Sequence, residues 1–118
     1  MTTIYGIKNC DTMKKAFTWL DEHEVEYEFR SVKENPLSEE ELERFVHYMG
    51  IETLLNKRGM TWRKLGLAKK EDLTEDDLFE ALLDNQTMIK RPLVEMGESV
   101  MVGFDEEAFE HFFADEDE

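Results

Sequence analysis

The chain has 118 residues, 41% of them hydrophobic, and sets 29 acidic against 14 basic side chains for a formal net charge of −15. That length suits one core and a single domain over residues 1–118, and the charge argues against nucleic acid or an anionic membrane as partner, because both require a basic face. No apolar run of about 18 residues occurs, and Met1-Thr2-Thr3-Ile4-Tyr5 has neither the basic region nor the apolar stretch of a signal peptide, so a cytoplasmic protein is expected.

Residues 2–5 read as a short strand running into Gly6. From residue 13, Met13, Ala16, Phe17 and Leu20 fall at i, i+3, i+4 and i+7, which predicts an amphipathic helix with Asp11 or Thr12 as its N-cap. Between strand and helix stands Cys10, the sole cysteine. One cysteine excludes an internal disulfide and a Cys-rich metal site, which leaves a buried small hydrophobe or a reactive thiol. Val25, Tyr27 and Phe29 alternate with Glu26 and Glu28, the period of a half-buried strand. A strand-helix-strand order implies a parallel pair joined by a crossover helix.

The next part of the chain is predicted to be helical. Ser38 and Glu41 form a capping box ahead of the stripe Leu42, Phe45, Val46 and Met49, and Gly50 ends the helix. Residues 51–67 read as short helices carrying Asn56-Lys57-Arg58-Gly59 and Trp62-Arg63-Lys64, a basic stretch in an acidic chain. Thr74 with Asp77 opens a further helix whose buried side is Leu78, Ala81 and Leu82. Residues 35–87 are thus expected to be a helical segment inserted between two halves of one sheet. Residues 93–96 and 100–102 are β-rich runs around Gly97-Glu98, a tight hairpin turn. Asp105 caps a last helix with Phe109, Phe112 and Phe113 on one face, and an acidic tail over residues 114–118 ends in solvent.

The order is βαβ, helical segment, ββα, which matches an α/β thioredoxin-like fold with one mixed sheet. Gly6-Ile7-Lys8-Asn9-Cys10-Asp11-Thr12 with Lys14-Lys15-Ala16, then Leu55-Asn56-Lys57-Arg58-Gly59 with Trp62-Arg63-Lys64, then Ile89-Lys90-Arg91-Pro92, resembles the ArsC (arsenate reductase) family, and within it the small bacterial subgroup called YffB-like or Spx/MgsR-like. The resemblance runs from Ile4 to about Phe113. It implies that Cys10 is the nucleophile, that Arg58 and Arg91 hold an anionic substrate or intermediate, and that Pro92 is a cis proline facing the cysteine.

The chemistry of the residues agrees with this. A thiol at a helix N-terminus is favoured as thiolate by the macrodipole and the unpaired N–H groups, which lowers its pKa towards about 3.5–7.5. Arginine presents a fixed fork of donors suited to oxyanions and carboxylates. Nine of the 14 basic residues (Lys8, Lys14, Lys15, Lys57, Arg58, Arg63, Lys64, Lys90 and Arg91) fall in the motif segments and would form a cationic basin if those segments converge. Lys14 and Lys15 are equally a solvated helix face, and Arg63 and Lys64 read first as surface. Asn9 and Thr12 are candidate donors to the thiolate or an oxyanion, and equally turn and cap residues. His23, His47 and His111 are scattered, so no metal site is expected.

Two departures from the family narrow the function. The third arginine of its arsenate reductases has no counterpart in Val102-Gly103-Phe104-Asp105, and the Cys-x-x-Cys of its redox regulators is absent, since Asp11, Thr12 and Met13 follow Cys10. The expectation is a monomeric, monothiol, glutathione-dependent reductase with no bound cofactor, glutathione as co-substrate, and glutathione, glutaredoxin or a protein thiol as the resolving partner. The alternatives are an arsenate reductase and a non-catalytic Spx-like regulator that binds RNA polymerase or another protein.

Overall fold

In the computed structural model, residues 1–59, 62–63 and 73–114 are described; Lys64, part of the 51–67 stretch and the tail 115–118 lie outside them. The strands are β1 (Thr2–Gly6), β2 (Glu28–Ser31), β3 (Leu93–Met96) and β4 (Ser99–Val102), and the helices are α1 (Asp11–Glu22), α2 (Glu39–Met49), α3 (Ile51–Leu54), α4 (Glu75–Asp84) and α5 (Glu106–Phe113), with a 3-10 turn at Gln86–Met88 before β3.

The sheet order is β2-β1-β3-β4. β1 runs parallel to β2, with Ile4 opposite Phe29, and antiparallel to β3, with Tyr5 opposite Leu93. β3 and β4 form a hairpin in which Met96 faces Ser99. The two-residue turn between them needs positive φ at its first position, which Gly97 supplies at 62°. This is the mixed sheet and thioredoxin-like α/β architecture that the element order predicts.

Alternation along the strands divides the core. Ile4 and Val94 face a cluster with Met13, Ala16 and Leu20 of α1 and Phe109 and Phe113 of α5. Tyr5 and Leu93 face a second cluster with Leu42 and Phe45 of α2, Leu54 of α3 and Leu82 of α4. The sheet is therefore covered on both sides, and each large side chain fully buried in these layers contributes about 1.5–3 kcal/mol.

The expected capping box at Ser38 forms, and a second one stands at Thr74, where a helix start is expected. Ser38 Oγ accepts from the Glu41 N–H at 3.1 Å while the Glu41 carboxylate accepts from the Ser38 N–H at 3.0 Å, and Thr74 and Asp77 do the same at 3.1 and 3.0 Å. Two local expectations are corrected. The N-cap of α1 is Cys10 itself, not Asp11 or Thr12. β2 begins only at Glu28, because Val25 belongs to the end of α1. Glu24 adopts a left-handed φ of 56°, its N–H donates to Asp21 O at 3.2 Å, and the Val25 N–H reaches back to Leu20 O at 3.0 Å. That is a Schellman closure, so Val25 is half-buried as part of a helix cap while Tyr27 stacks on Phe17 with 5.7 Å between centroids.

The helical segment is fastened to the sheet by polar contacts. Arg30 on β2 donates twice to Glu41, at 2.6 and 3.0 Å, and to the carbonyls of Pro36 and Asn35 at 2.8 and 3.1 Å. Buried Gln86 donates to Leu37 O at 2.8 Å and accepts from the Leu37 N–H at 2.7 Å. The Arg30 fork, followed by the Ser38 contacts, holds the Glu41 carboxyl down at about 2. A carboxyl depressed in the folded state stabilises fully above its unfolded value, near 4.3, and loses that contribution as pH falls through the folded value. Glu41→Gln should therefore cost about 1–2 kcal/mol at pH 7, after allowance for partial solvent screening. Urea midpoints of the two proteins should draw together between pH 4.3 and about 2; a constant gap across that window would show that the pair contributes through packing alone.

Candidate active site

The strand register brings three chain ends to one place. Tyr5 pairs with Leu93, and Leu93 pairs with Val102, so the exit of β1, the entry of β3 and the exit of β4 lie together. Just beyond those ends stand Cys10, Arg91-Pro92 and Gly103-Phe104. Pro92 is buried, its peptide bond with Arg91 is cis, and its carbonyl accepts from the Gly103 N–H at 2.9 Å.

The helical segment supplies the remaining wall. Leu55 and Ile89 form an isolated antiparallel bridge outside the sheet, through Asn56 N–H to Met88 O and Lys90 N–H to Leu54 O, both at 2.7 Å. Asn56 Oδ1 then accepts from the Arg58 N–H at 3.0 Å, an Asx turn that folds Lys57 and Arg58 back over the opening. The open cavity measures about 580 Å³. Cys10, Thr12, Arg91, Gly103 and Phe104 line it from the sheet side, and Glu52, Asn56, Lys57 and Arg58 line it from the inserted segment.

Cys10 occupies the N-cap of α1 with extended backbone, and its carbonyl takes the first helical hydrogen bond, from the Lys14 N–H at 3.0 Å. Its side chain makes no cap bond as a neutral thiol. Partial burial pushes the thiol up, but the N–H groups of Met13 and Thr12, and after them the charge and hydrogen bond of Arg91, outweigh it, so the thiol sits below its ordinary value. The helix start is held firmly. Met13 is fully buried beneath Gly6, where an added Cβ would meet Met13 Sδ at 2.6 Å. Arg91 is anchored through Nη1 to Thr87 O at 3.0 Å, which leaves the rest of its fork for the sulfur and a ligand.

Of the residues predicted from sequence, Cys10, Thr12, Arg58 and Arg91 meet in this cavity, and Pro92 lies buried behind it. Asn9 is exposed and lines no part of it, and Lys8 turns to a separate hollow beside Tyr5 and Arg30. Of the basic residues in the motifs, Lys57, Arg58, Lys90 and Arg91 form the cationic wall, while Lys14 and Lys15 line a neighbouring groove. Arg63 is exposed. None of the three histidines lines the cavity. Sequence reasoning missed Glu52, Asn56, Gly103 and Phe104 as site residues. The signal for Asn56 was present, since it lies within the basic motif; Glu52 is one acid among 29 acidic residues and carries no local mark.

Comparison with known proteins identifies the family. The model of the ArsC family matches residues 5–112, and the chain belongs to that family. A solved structure described as YffB superposes with a TM-score of 0.87 at 46% identity, covering 94% of this chain and 97% of that one. An uncharacterized protein of Haemophilus influenzae is 37% identical over 97% of this chain and 100% of its own length. The global transcriptional regulator Spx of Listeria innocua is 28% identical over 95% of this chain and 86% of its own length.

Because thiolate is the form that alkylates, a lowered thiol pKa keeps Cys10 reactive at pH values where a free thiol is largely protonated. Iodoacetamide alkylation followed against pH should show a midpoint well below about 8.5. Arg91→Met should move that midpoint upward, towards the value set by burial and the helix terminus alone. A wild-type midpoint at or above that of free cysteine would refute the electrostatic assignment.

Proposed function

We propose that this ArsC-family chain is a glutathione-dependent thiol reductase that works through Cys10 alone. The observation that carries the reading is the placement of Cys10 as the N-cap of α1, beside Arg91, in an open cavity walled by cations. The thiolate attacks the glutathione sulfur of a mixed disulfide. A bond forms between Cys10 Sγ and that sulfur, the original S–S bond breaks, and its electron pair leaves with the substrate as a thiolate. Glutathione thiolate then attacks the adduct, releasing Cys10 as thiolate and leaving as oxidised glutathione. Arg91 and the N–H groups of Met13 and Thr12 favour the charged sulfur both as nucleophile and as leaving group.

Two features support a thiol substrate over arsenate. A cavity of about 580 Å³ falls within the range of small-molecule sites, about 300–1,000 Å³, and is roomy for a lone tetrahedral oxyanion. The wall beyond β4 is Gly103-Phe104, which offers no cationic side chain. With no second cysteine in the sequence, the adduct must be resolved by an external thiol.

Intact-mass analysis tests the proposal. Oxidised glutathione should leave one glutathione on wild-type protein and none on Cys10→Ser, and arsenate with reduced glutathione should not be turned over. Arg91→Lys keeps the charge but loses the planar fork and should slow exchange by about 10²–10³. Losing the bond to Thr87 should cost it about 0.5–1.5 kcal/mol of stability, read as a small shift in urea midpoint. Arg58→Ala, at an exposed position, should slow exchange by about tenfold with its urea midpoint unchanged. Failure of Cys10 to take up glutathione would remove this reading and favour a non-catalytic regulator.

A further inference from the structure

We infer that Glu52 makes the cavity selective for a ligand with a zwitterionic amino-acid end, accepting the ligand's ammonium while Arg58 and Lys57 take the adjoining carboxylate. The inference rests on the proposed glutathione exchange and names the part of that ligand which is read away from the sulfur. Among the described residues that line the cavity Glu52 is the one carboxylate, the other charged members being Lys57, Arg58, Lys90 and Arg91. Its Oε2 lies 2.7 Å from Lys57 Nζ, and its side chain is still 65% exposed, so acceptor capacity remains open to a ligand. Lys57 is held from the other side by the Trp62 ring, 5.9 Å from Nζ to the centroid. Among the described residues the side chains of Arg58 and Lys90 make no ion pair. A wall that offers cations and one carboxylate side by side matches a carboxylate and an ammonium borne on the same carbon, as in the γ-glutamyl end of glutathione. A ligand with negative charge alone would meet Glu52 as a repulsive element.

This makes a prediction opposite in sign to a simple cationic basin. Acetylating the amino groups of oxidised glutathione removes its ammonium charges and leaves a more anionic disulfide, which undifferentiated positive charge would favour. Recognition through Glu52 favours the free amine. The experiment measures the second-order rate at which Cys10 becomes glutathionylated, by intact mass, with oxidised glutathione and with its N-acetylated form, for wild type, Glu52→Gln and Glu52→Asp. Wild type should prefer the free amine by about tenfold, equivalent to about 1.4 kcal/mol. Glu52→Gln should lose that preference through a slower reaction with oxidised glutathione alone, and Glu52→Asp should keep part of it. Equal wild-type rates, a Glu52→Gln protein that slows equally with both disulfides, or one that retains the preference would each overturn the inference while leaving glutathione exchange intact. Uptake of neither disulfide by wild type would overturn the glutathione reading and this inference together.

Discussion

The antiparallel register that sets Tyr5 opposite Leu93 and Leu93 opposite Val102 is the constraint on which the site depends. It alone makes the exit of β1 the entry of β3 and the exit of β4. Cys10 is far in sequence from Arg91 and Phe104, which flank the β3–β4 hairpin, and no local preference would bring it to them. Side chains alternate with a period of two, so a slip of one residue between β1 and β3 would turn Leu93 out of its core layer. The same slip would carry Arg91 away from the sulfur. Burial of Ile4 and Val94 on one face, and of Tyr5 and Leu93 on the other, therefore fixes the chemistry as well as the fold.

The state of the thiol follows from opposed influences. Burial disfavours the charged sulfur, and the N–H groups of Met13 and Thr12 with the Arg91 guanidinium reverse that preference. These donors are set in place before any ligand arrives. Met13 cannot shift while its side chain fills the space over Gly6, and Arg91 is tethered to Thr87. The surrounding charge has the opposite sign, −15 for the whole chain. An acidic surface repels anions generally, and Lys57, Arg58, Lys90 and Arg91 reverse the sign of the charge locally at the cavity.

What was legible in the sequence was what local physics encodes. The capping box at Ser38, the helix start at Thr74 and the Gly97-Glu98 turn each satisfy their own backbone groups within a few residues, the stripe Leu42-Phe45 follows the helical period, and the structure has them as read. The N-cap of α1 was misread for a physical reason. Asp11 and Thr12 are better caps than cysteine, by about 1 kcal/mol on ordinary preference, yet the chain places Cys10 at that position. The helix forgoes a side-chain cap so that its free N–H groups can act on sulfur. Val25 misled in another way, because its alternation with Tyr27 and Phe29 serves a Schellman closure and then a short strand. Lys8 sits two residues from Cys10 in sequence and still faces another hollow, since the chain bends at Lys8 and Asn9. Glu52 and Phe104 reach the cavity only through tertiary contacts, and nothing at their own positions announces it.

The two walls of the cavity divide the work in a way their connections explain. Everything that sets the reactivity of Cys10 belongs to the sheet and α1: the helix terminus, the Gly6-Met13 contact and Arg91 ahead of β3. The wall that holds Glu52, Lys57 and Arg58 comes from the inserted segment and joins the first through the short bridge of Leu54 and Asn56 with Met88 and Lys90. Exposed side chains on that wall are not packed into the core, and substitutions there carry little cost in stability. Glu52, Lys57 and Arg58 can therefore be exchanged while the thiol keeps the neighbours that act on it. Arg91 stands where both walls meet, since one guanidinium is tethered to the backbone, acts on the sulfur and lines the cavity. It is the position at which a lysine, with one point charge on a flexible stem, cannot serve all three.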